Sequence, residues 1–163
     1  MKEITEINVL LDEGAEMPTQ AHSTDAGFDI YAKEDFVVPP CKMEWEKPNL
    51  PYAPIEIRGV SVGCASHDTG VHIEIPKGYA GNIESKSGLN VRHGLTCQGL
   101  IDCGYTGSIV VKLFNHTDKA HYFNKGDKIA QLVIRPILTP KLKLVTELEE
   151  TERGNGGFGS TGR

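Results

Sequence analysis

The chain reads as an all-β domain, and three observations predict it. Apolar residues alternate or run in short blocks of strand length, from Ile4 to Leu11, Phe28 to Ala32, Phe36 to Val38, Ile55 to Val62, Val71 to Ile75, Ile109 to Phe114 and Ile129 to Ile134. Between them stand Pro39-Pro40, Pro76-Lys-Gly78, Gly104, Asn115 and Lys125-Gly126-Asp127, which is turn chemistry at the spacing of a sandwich or barrel. One stretch alone, Ser87 to His93, has the pattern of a short helix, with Ser87 as its N-cap.

Taken in order, the first block opens the domain, and the second and third close before the two prolines, which cannot continue a central strand. The fourth and fifth are rich in Ile and Val, whose branched side chains suit a pleated surface. The sixth ends at Asn115, and the seventh follows the Lys-Gly-Asp turn. In that last block Gln131 is a polar choice inside an apolar run, as a residue on the outward face of an edge strand would be.

Length and charge narrow the function. At 163 residues the chain suits one domain with its own core, expected over residues 1–152 with a flexible arm at 153–163. A formal net charge of −5 and a pI near 5.7 argue against a nucleic-acid surface, so any phosphate site is local and suits a single nucleotide. No apolar run approaches the ~20 residues of a membrane span, and the first six residues carry charge in place of a signal peptide's apolar stretch. The expectation is a soluble, cytoplasmic protein, in the host cell's cytosol if viral, without nucleic-acid or membrane partners. Cys41, Cys64, Cys97 and Cys103 share no Cys-x-x-Cys spacing, so reduced thiols are expected. Cys64 and His67, three apart and beside Asp68, suit an ordinary loop better than a metal site. Asn115-His-Thr117 is formally a glycosylation sequon.

The segment around 41–62 has a different character: Lys42, Glu44, Glu46 and Lys47 surround Trp45, and Pro48, Pro51 and Pro54 follow. It reads as a loop insertion, with Trp45 and Tyr52 either packed on the domain or marking a protein-partner surface.

The tail from Arg153 to Arg163 holds five glycines, one aromatic and two hydroxyls. Composition alone favours a disordered end. Its chemistry also suits a nucleotide clamp, with glycine amides, Ser160, Thr161 and the Arg153 fork for phosphate and Phe158 to stack on a flat ring. Gly154, Gly156 and Gly159 match the dinucleotide fingerprint only in spacing, because no strand precedes them and no helix follows. A P-loop would need a lysine after Gly159.

Five segments in this order resemble the homotrimeric dUTPase family: Asp25-Ala-Gly-Phe-Asp-Ile-Tyr31, Glu84-Ser-Lys-Ser-Gly-Leu89, Gly99-Leu-Ile-Asp-Cys-Gly-Tyr-Thr-Gly107, Gly126-Asp-Lys-Ile-Ala-Gln-Leu132 and the tail. The resemblance implies a β-clip or jelly-roll-like subunit with one short helix. It further implies a homotrimer whose three sites are each lined by different subunits, and hydrolysis of dUTP to dUMP and pyrophosphate with Mg²⁺ on the triphosphate. Such an enzyme limits uracil in DNA and supplies dUMP for thymidylate synthesis.

Carried over residue by residue, the resemblance makes Asp102 the carboxylate that orients the attacking water. Lys86, Ser87 and Gly88 become the phosphate-binding segment, Gln131 a second phosphate and water ligand, and Arg153 a phosphate ligand from the tail. It places Tyr105 against the deoxyribose and makes a hairpin from about Thr96 to Tyr105, including Gly99 and Ile101, the reader of the uracil edge. Phe158 would stack on uracil while Gly159, Ser160 and Thr161 close over the phosphates. No residue is expected to ligate the metal directly, with Asp29 nearby. The chain departs from the family at Lys86, usually arginine, at Ser85, usually proline, and at Cys103, Gly104 and Thr106. The alternatives are a dCTP deaminase of the same fold, and a regulatory binding protein of dUTPase fold that acts through the insertion.

Overall fold

A computed structural model of the chain describes residues 6–46 and 57–156. Its strands are β1 (Val9–Leu11), β2 (Phe28–Tyr31), β3 (Phe36–Val38), β4 (Lys42–Glu46), β5 (Ile57–Ser61), β6 (Gly63–Asp68), β7 (Val71–Ile73), β8 (Tyr79–Glu84), β9 (Leu95–Thr96), β10 (Gln98–Ile101), β11 (Val110–Asn115), β12 (His121–Phe123) and β13 (Lys128–Pro136). A single helix, α1 (Ser87–His93), lies between β8 and β9.

The strands pair antiparallel throughout the described residues. A four-stranded sheet runs β10-β8-β13-β2 and a three-stranded one β6-β11-β9, flanked by the pairs β1-β7, β12-β3 and β4-β5. Their apolar faces enclose one core, in which Ile30, Leu95, Ile109, Leu113, Ile129 and Leu132 are all nearly inaccessible. This is the all-β class that the sequence pattern predicts and the jelly-roll-like arrangement that the resemblance implies: short strands, each half apolar, stabilised by burying one face together.

Four expectations change. The helix has the expected bounds, but Lys86 is its N-cap, with extended backbone at φ −69° and ψ 130°, and Ser87 is its first turn. No side chain caps it. The Ser85 hydroxyl, one residue before that cap, is instead engaged by Cys97, accepting its N–H at 2.8 Å and donating to its carbonyl at 3.0 Å. The insertion is not a plain loop at its described ends, because β4 and β5 form a hairpin in which Trp45 falls opposite Arg58. Tyr52 and the rest of residues 47–56 lie outside the described residues. The stretch from Thr96 to Tyr105 does not pair with itself either: β9 joins β11 while β10 joins β8. Finally, Cys64 and His67 sit on β6 instead of a loop. Cys64 is exposed, whereas His67 is buried, stacks on Phe36 and accepts the Lys33 backbone N–H at 2.8 Å.

Asn115 is fully buried. Its amide donates to the carbonyls of Pro39 (3.0 Å) and Lys119 (2.8 Å), and its oxygen accepts from the Thr117 amide and hydroxyl. The sequon is therefore a turn brace that ties β11 to the chain after β3.

Beyond β13 the chain runs without helix or strand from Ile137 to Glu150, with the side chains after Ile137 in solvent. Leu138, Leu142, Leu144 and Leu148 are each 85% or more exposed. Across the subunit an apolar cleft of about 540 Å³ opens between β1, β2 and β13, lined by Ile7, Val9, Met17, Phe28, Leu132 and Ile134.

Candidate functional site

The four-stranded sheet places the polar residues. Its register sets Asp29, Gln131, Glu84 and Gln98 in one row across β2, β13, β8 and β10. Asp29 is 5% exposed and would be costly to bury as an isolated anion. It is paired on both oxygens: Lys86 Nζ meets Oδ1, and Lys128 Nζ meets Oδ2 at 2.7 Å, while Gln131 Nε2 reaches Oδ1 at 3.4 Å. Burial alone would raise the Asp29 carboxyl's pKa. The hydrogen bonds and charges of Lys128 and Lys86 outweigh it and hold the group below its ordinary value.

Lys128 was not singled out in the sequence. Residues three apart on a regular strand face opposite sides, so Lys128 and Gln131 would not be expected to share a partner. A register shift between Lys128 and Ala130 brings them together, and Ile129 and Ala130 are both fully buried as a result. An isolated lysine after a Gly-Asp turn carries no signal of that bulge.

Lys86, Ser87 and Gly88 follow β8 at the edge of this cluster. A Cβ added to Gly88 would meet nothing within 4 Å, so packing within the subunit does not require glycine there.

The opposite end of the β8–β10 ladder carries a second set. A concavity of about 230 Å³ is lined by Ile83, Gly99, Ile101, Asp102, Tyr105 and Ile109. Asp102 and Tyr105 belong to the turn after β10, where the Tyr105 N–H donates to the Asp102 carbonyl at 3.2 Å. Gly104 has φ 93°, a left-handed conformation that favours glycine. The Tyr105 hydroxyl donates to the Ser108 carbonyl at 2.9 Å, and its ring lies over Gly107, where a Cβ would come within 2.5 Å of the hydroxyl oxygen. The Ser108 hydroxyl in turn donates to Asp68.

One subunit thus keeps the two sets of residues apart. Ile101 faces Gly81, so Asp102 follows about four residues, or ~13 Å, along the ladder from the Glu84 row in which Gln131 lies and Asp29 holds the Lys86 ammonium, and β10 is two strands from β13, a further ~10 Å across the sheet. Arg153 lies after both in sequence, in a turn closed by the Gly154 N–H on the Thr151 carbonyl, its Nε donating to the Gly156 carbonyl at 2.9 Å. Phe158, Gly159, Ser160 and Thr161 are outside the described residues.

The described residues contain no group of three His, Cys, Asp or Glu side chains able to hold a metal ion, and Asp29 is already engaged by two ammonium groups. No helix among the described residues is long and apolar enough to cross a membrane.

Comparison with known proteins agrees with this arrangement. The dUTPase family model matches residues 60–162. The deoxyuridine 5'-triphosphate nucleotidohydrolase of Kluyveromyces lactis is 39% identical over 151 residues, covering 91% of this chain and 88% of that protein. That of Paramecium bursaria Chlorella virus 1 is 37% identical over 153 residues, covering 93% and 94%. Among solved structures, the dUTPase of Staphylococcus bacteriophage 80alpha with dUPNHPP superposes with a TM-score of 0.77 at 31% identity, over 98% of this chain and 100% of that one. A mutant dUTPase from phage phi11 of S. aureus, which coordinates a structural Mg(II) ion, gives a TM-score of 0.70 at 31% identity over 89% and 99%. With these matches along nearly its whole length, the chain belongs to the dUTPase family and is a hydrolase of that family.

Proposed function

We propose that the chain hydrolyses dUTP to dUMP and pyrophosphate, by attack of water between the α and β phosphates, in sites each completed by more than one subunit of a homotrimer. The observation that carries this is the separation of the half-sites. A carboxylate that orients the water and donors that hold the phosphates must act on the same phosphorus, and ~13 Å along the ladder with two strands, ~10 Å, across the sheet is too far. A three-fold assembly supplies one half from each of two neighbours. The exposed leucines of residues 138–148 and the open apolar cleft between β1, β2 and β13 are surfaces that such an assembly would cover.

Asp102 accepts the proton of the attacking water and orients its lone pair. Tyr105, with its ring fixed by the Ser108 carbonyl, stands against the sugar at the mouth of the concavity that takes the uracil between Gly99 and Ile101. From another subunit, Lys86 and the amides of Ser87 and Gly88 bind phosphate oxygens, and Gln131 adds an amide donor. Asp29 holds Lys86 and Lys128 in place. Arg153 and the tail with Phe158, Gly159, Ser160 and Thr161 close the site against bulk water. Mg²⁺ belongs to the substrate in this reading, carried on the triphosphate, and no residue of the chain is assigned to it.

The test is pyrophosphate release by the purified chain supplied in turn with dUTP, dTTP, dCTP and UTP. Release from dUTP far above the other three supports the reading. Ammonia from dCTP would replace it with a deaminase, and inertness toward all four would leave a binding protein of the same fold.

A further inference from the structure

His72 on β7 lies outside both half-sites, yet it touches the turn that carries one of them. Its Nδ1 is 2.8 Å from the carbonyl oxygen of Thr106, the residue after Tyr105, and its Nε2 is 3.2 Å from Asp12 Oδ1. Both partners are acceptors only. A neutral imidazole has one N–H and can satisfy one of them, whereas the imidazolium donates to both.

We propose that His72 is a positioning residue for substrate binding: as an imidazolium clasped between Asp12 and the Thr106 carbonyl, it fixes the Tyr105 turn, and its deprotonation loosens that turn and weakens nucleotide affinity. The turn has a second anchor, through Ser108 and Asp68, but that one grips it beyond Gly107. His72 is the hold on Thr106 itself, beside the ring that lines the pocket.

The charged groups around it favour the imidazolium. Asp12, just after β1, faces Nε2 directly, and Lys33, after β2, lies 3.3 Å from the other oxygen of Asp12. Asp68, at the end of β6, adds a further negative charge. The Thr106 carbonyl moves the His72 pKa above its ordinary value, desolvation opposes it, and the hydrogen bond and charge of Asp12 add to the rise. Affinity contributed by the clasp is therefore complete at low pH and is lost as pH rises through the raised pKa.

This inference rests on the proposed dUTP reaction for its kinetic readout, and an NMR readout separates the two. KM and kcat for dUTP are measured from pH 6 to 9 for the parent, His72→Gln and Asp12→Asn. The substrate's own phosphate and uracil titrate in this range, so the quantity read at each pH is the ratio of variant to parent. An asparagine amide can donate to a neutral Nε2, leaving Nδ1–H on the Thr106 carbonyl, so Asp12→Asn should remove the His72 pH dependence. The Gln variant can set its NH2 at only one of the two nitrogen positions, with an accepting oxygen at the other, and should raise KM about three- to tenfold at low pH, with kcat little changed and the ratio falling toward one at high pH. In parallel, the His72 ring resonances should titrate above the ordinary histidine value in the parent and lower in Asp12→Asn, with the Tyr105 ring signals following the same transition. An equal loss at every pH, a loss in kcat alone, or Tyr105 signals indifferent to His72 titration would overturn the clasp. Absence of dUTP turnover at any pH would instead overturn the functional reading, and the ring titrations would still decide the clasp.

Discussion

Gly88 offers a test in which stability and activity should move in opposite directions. It is the second residue of α1, and an added Cβ would find open space, with nothing within 4 Å. Glycine in a helix costs about 0.5–1 kcal/mol relative to alanine through the freedom it loses on folding. On stability alone, Gly88→Ala should be neutral to favourable. For a chain of this size 1 kcal/mol corresponds to about 2–4 °C in Tm, read by calorimetry at fixed protein concentration because assembly shifts Tm. If phosphate oxygens approach the backbone at this point, the same methyl intrudes on them. An overpacked contact costs about 1–3 kcal/mol, which is roughly 5- to 150-fold in kcat/KM for dUTP. The assay pairs Tm with kcat/KM on the same preparation. A variant with raised Tm and full activity would refute the argument, because it would show that nothing bound comes near the open side of Gly88.

Other outcomes follow from the remaining residues. Asp102→Asn should lower kcat roughly 100-fold or more while dUTP still binds, as seen by single-turnover kinetics and calorimetric titration. Asp29 has a depressed folded-state pKa, so its contribution is present above the ordinary carboxylate value and is lost as pH falls through the folded one. Urea unfolding of the chain and of Asp29→Asn should therefore converge below about pH 4, the range in which an unperturbed aspartate protonates. Phe158→Ala should cost about ten- to a hundredfold in kcat/KM if its ring stacks on the base, with Tm unchanged.

The fold was legible where a single local rule governs. Blocks such as Phe36–Val38 and Ile129–Ile134 are apolar enough to announce a strand, and Ser87–His93 is closed by Gly94, whose φ of 60° and N–H to the Asn90 carbonyl end the helix. Strands β6 and β8 were not legible. Gly-Cys-Ala-Ser-His-Asp and Tyr-Ala-Gly-Asn-Ile-Glu are small and polar, and they are strands because neighbours pair with them, β8 on both of its edges. The site divides the same way. Asp102, Tyr105, Lys86 and Gln131 stand in motifs and could be named, whereas Lys128 depends on a bulge and His72 on a carbonyl 34 positions away in sequence. Interactions fixed by backbone register or by main-chain acceptors leave little trace in residue type.

The central claim is that each site joins Asp102 of one subunit to Lys86, Ser87, Gly88 and Gln131 of another. It is tested most directly by complementation between two impaired variants, Asp102→Asn and Gln131→Ala, dissociated, mixed in equal amounts and reassembled. In a random three-fold assembly about one quarter of the sites would receive both intact halves, so dUTP hydrolysis should recover toward a quarter of the parental rate. A mixture no more active than its two components, in assemblies shown by mass to contain both variants, would contradict the shared site.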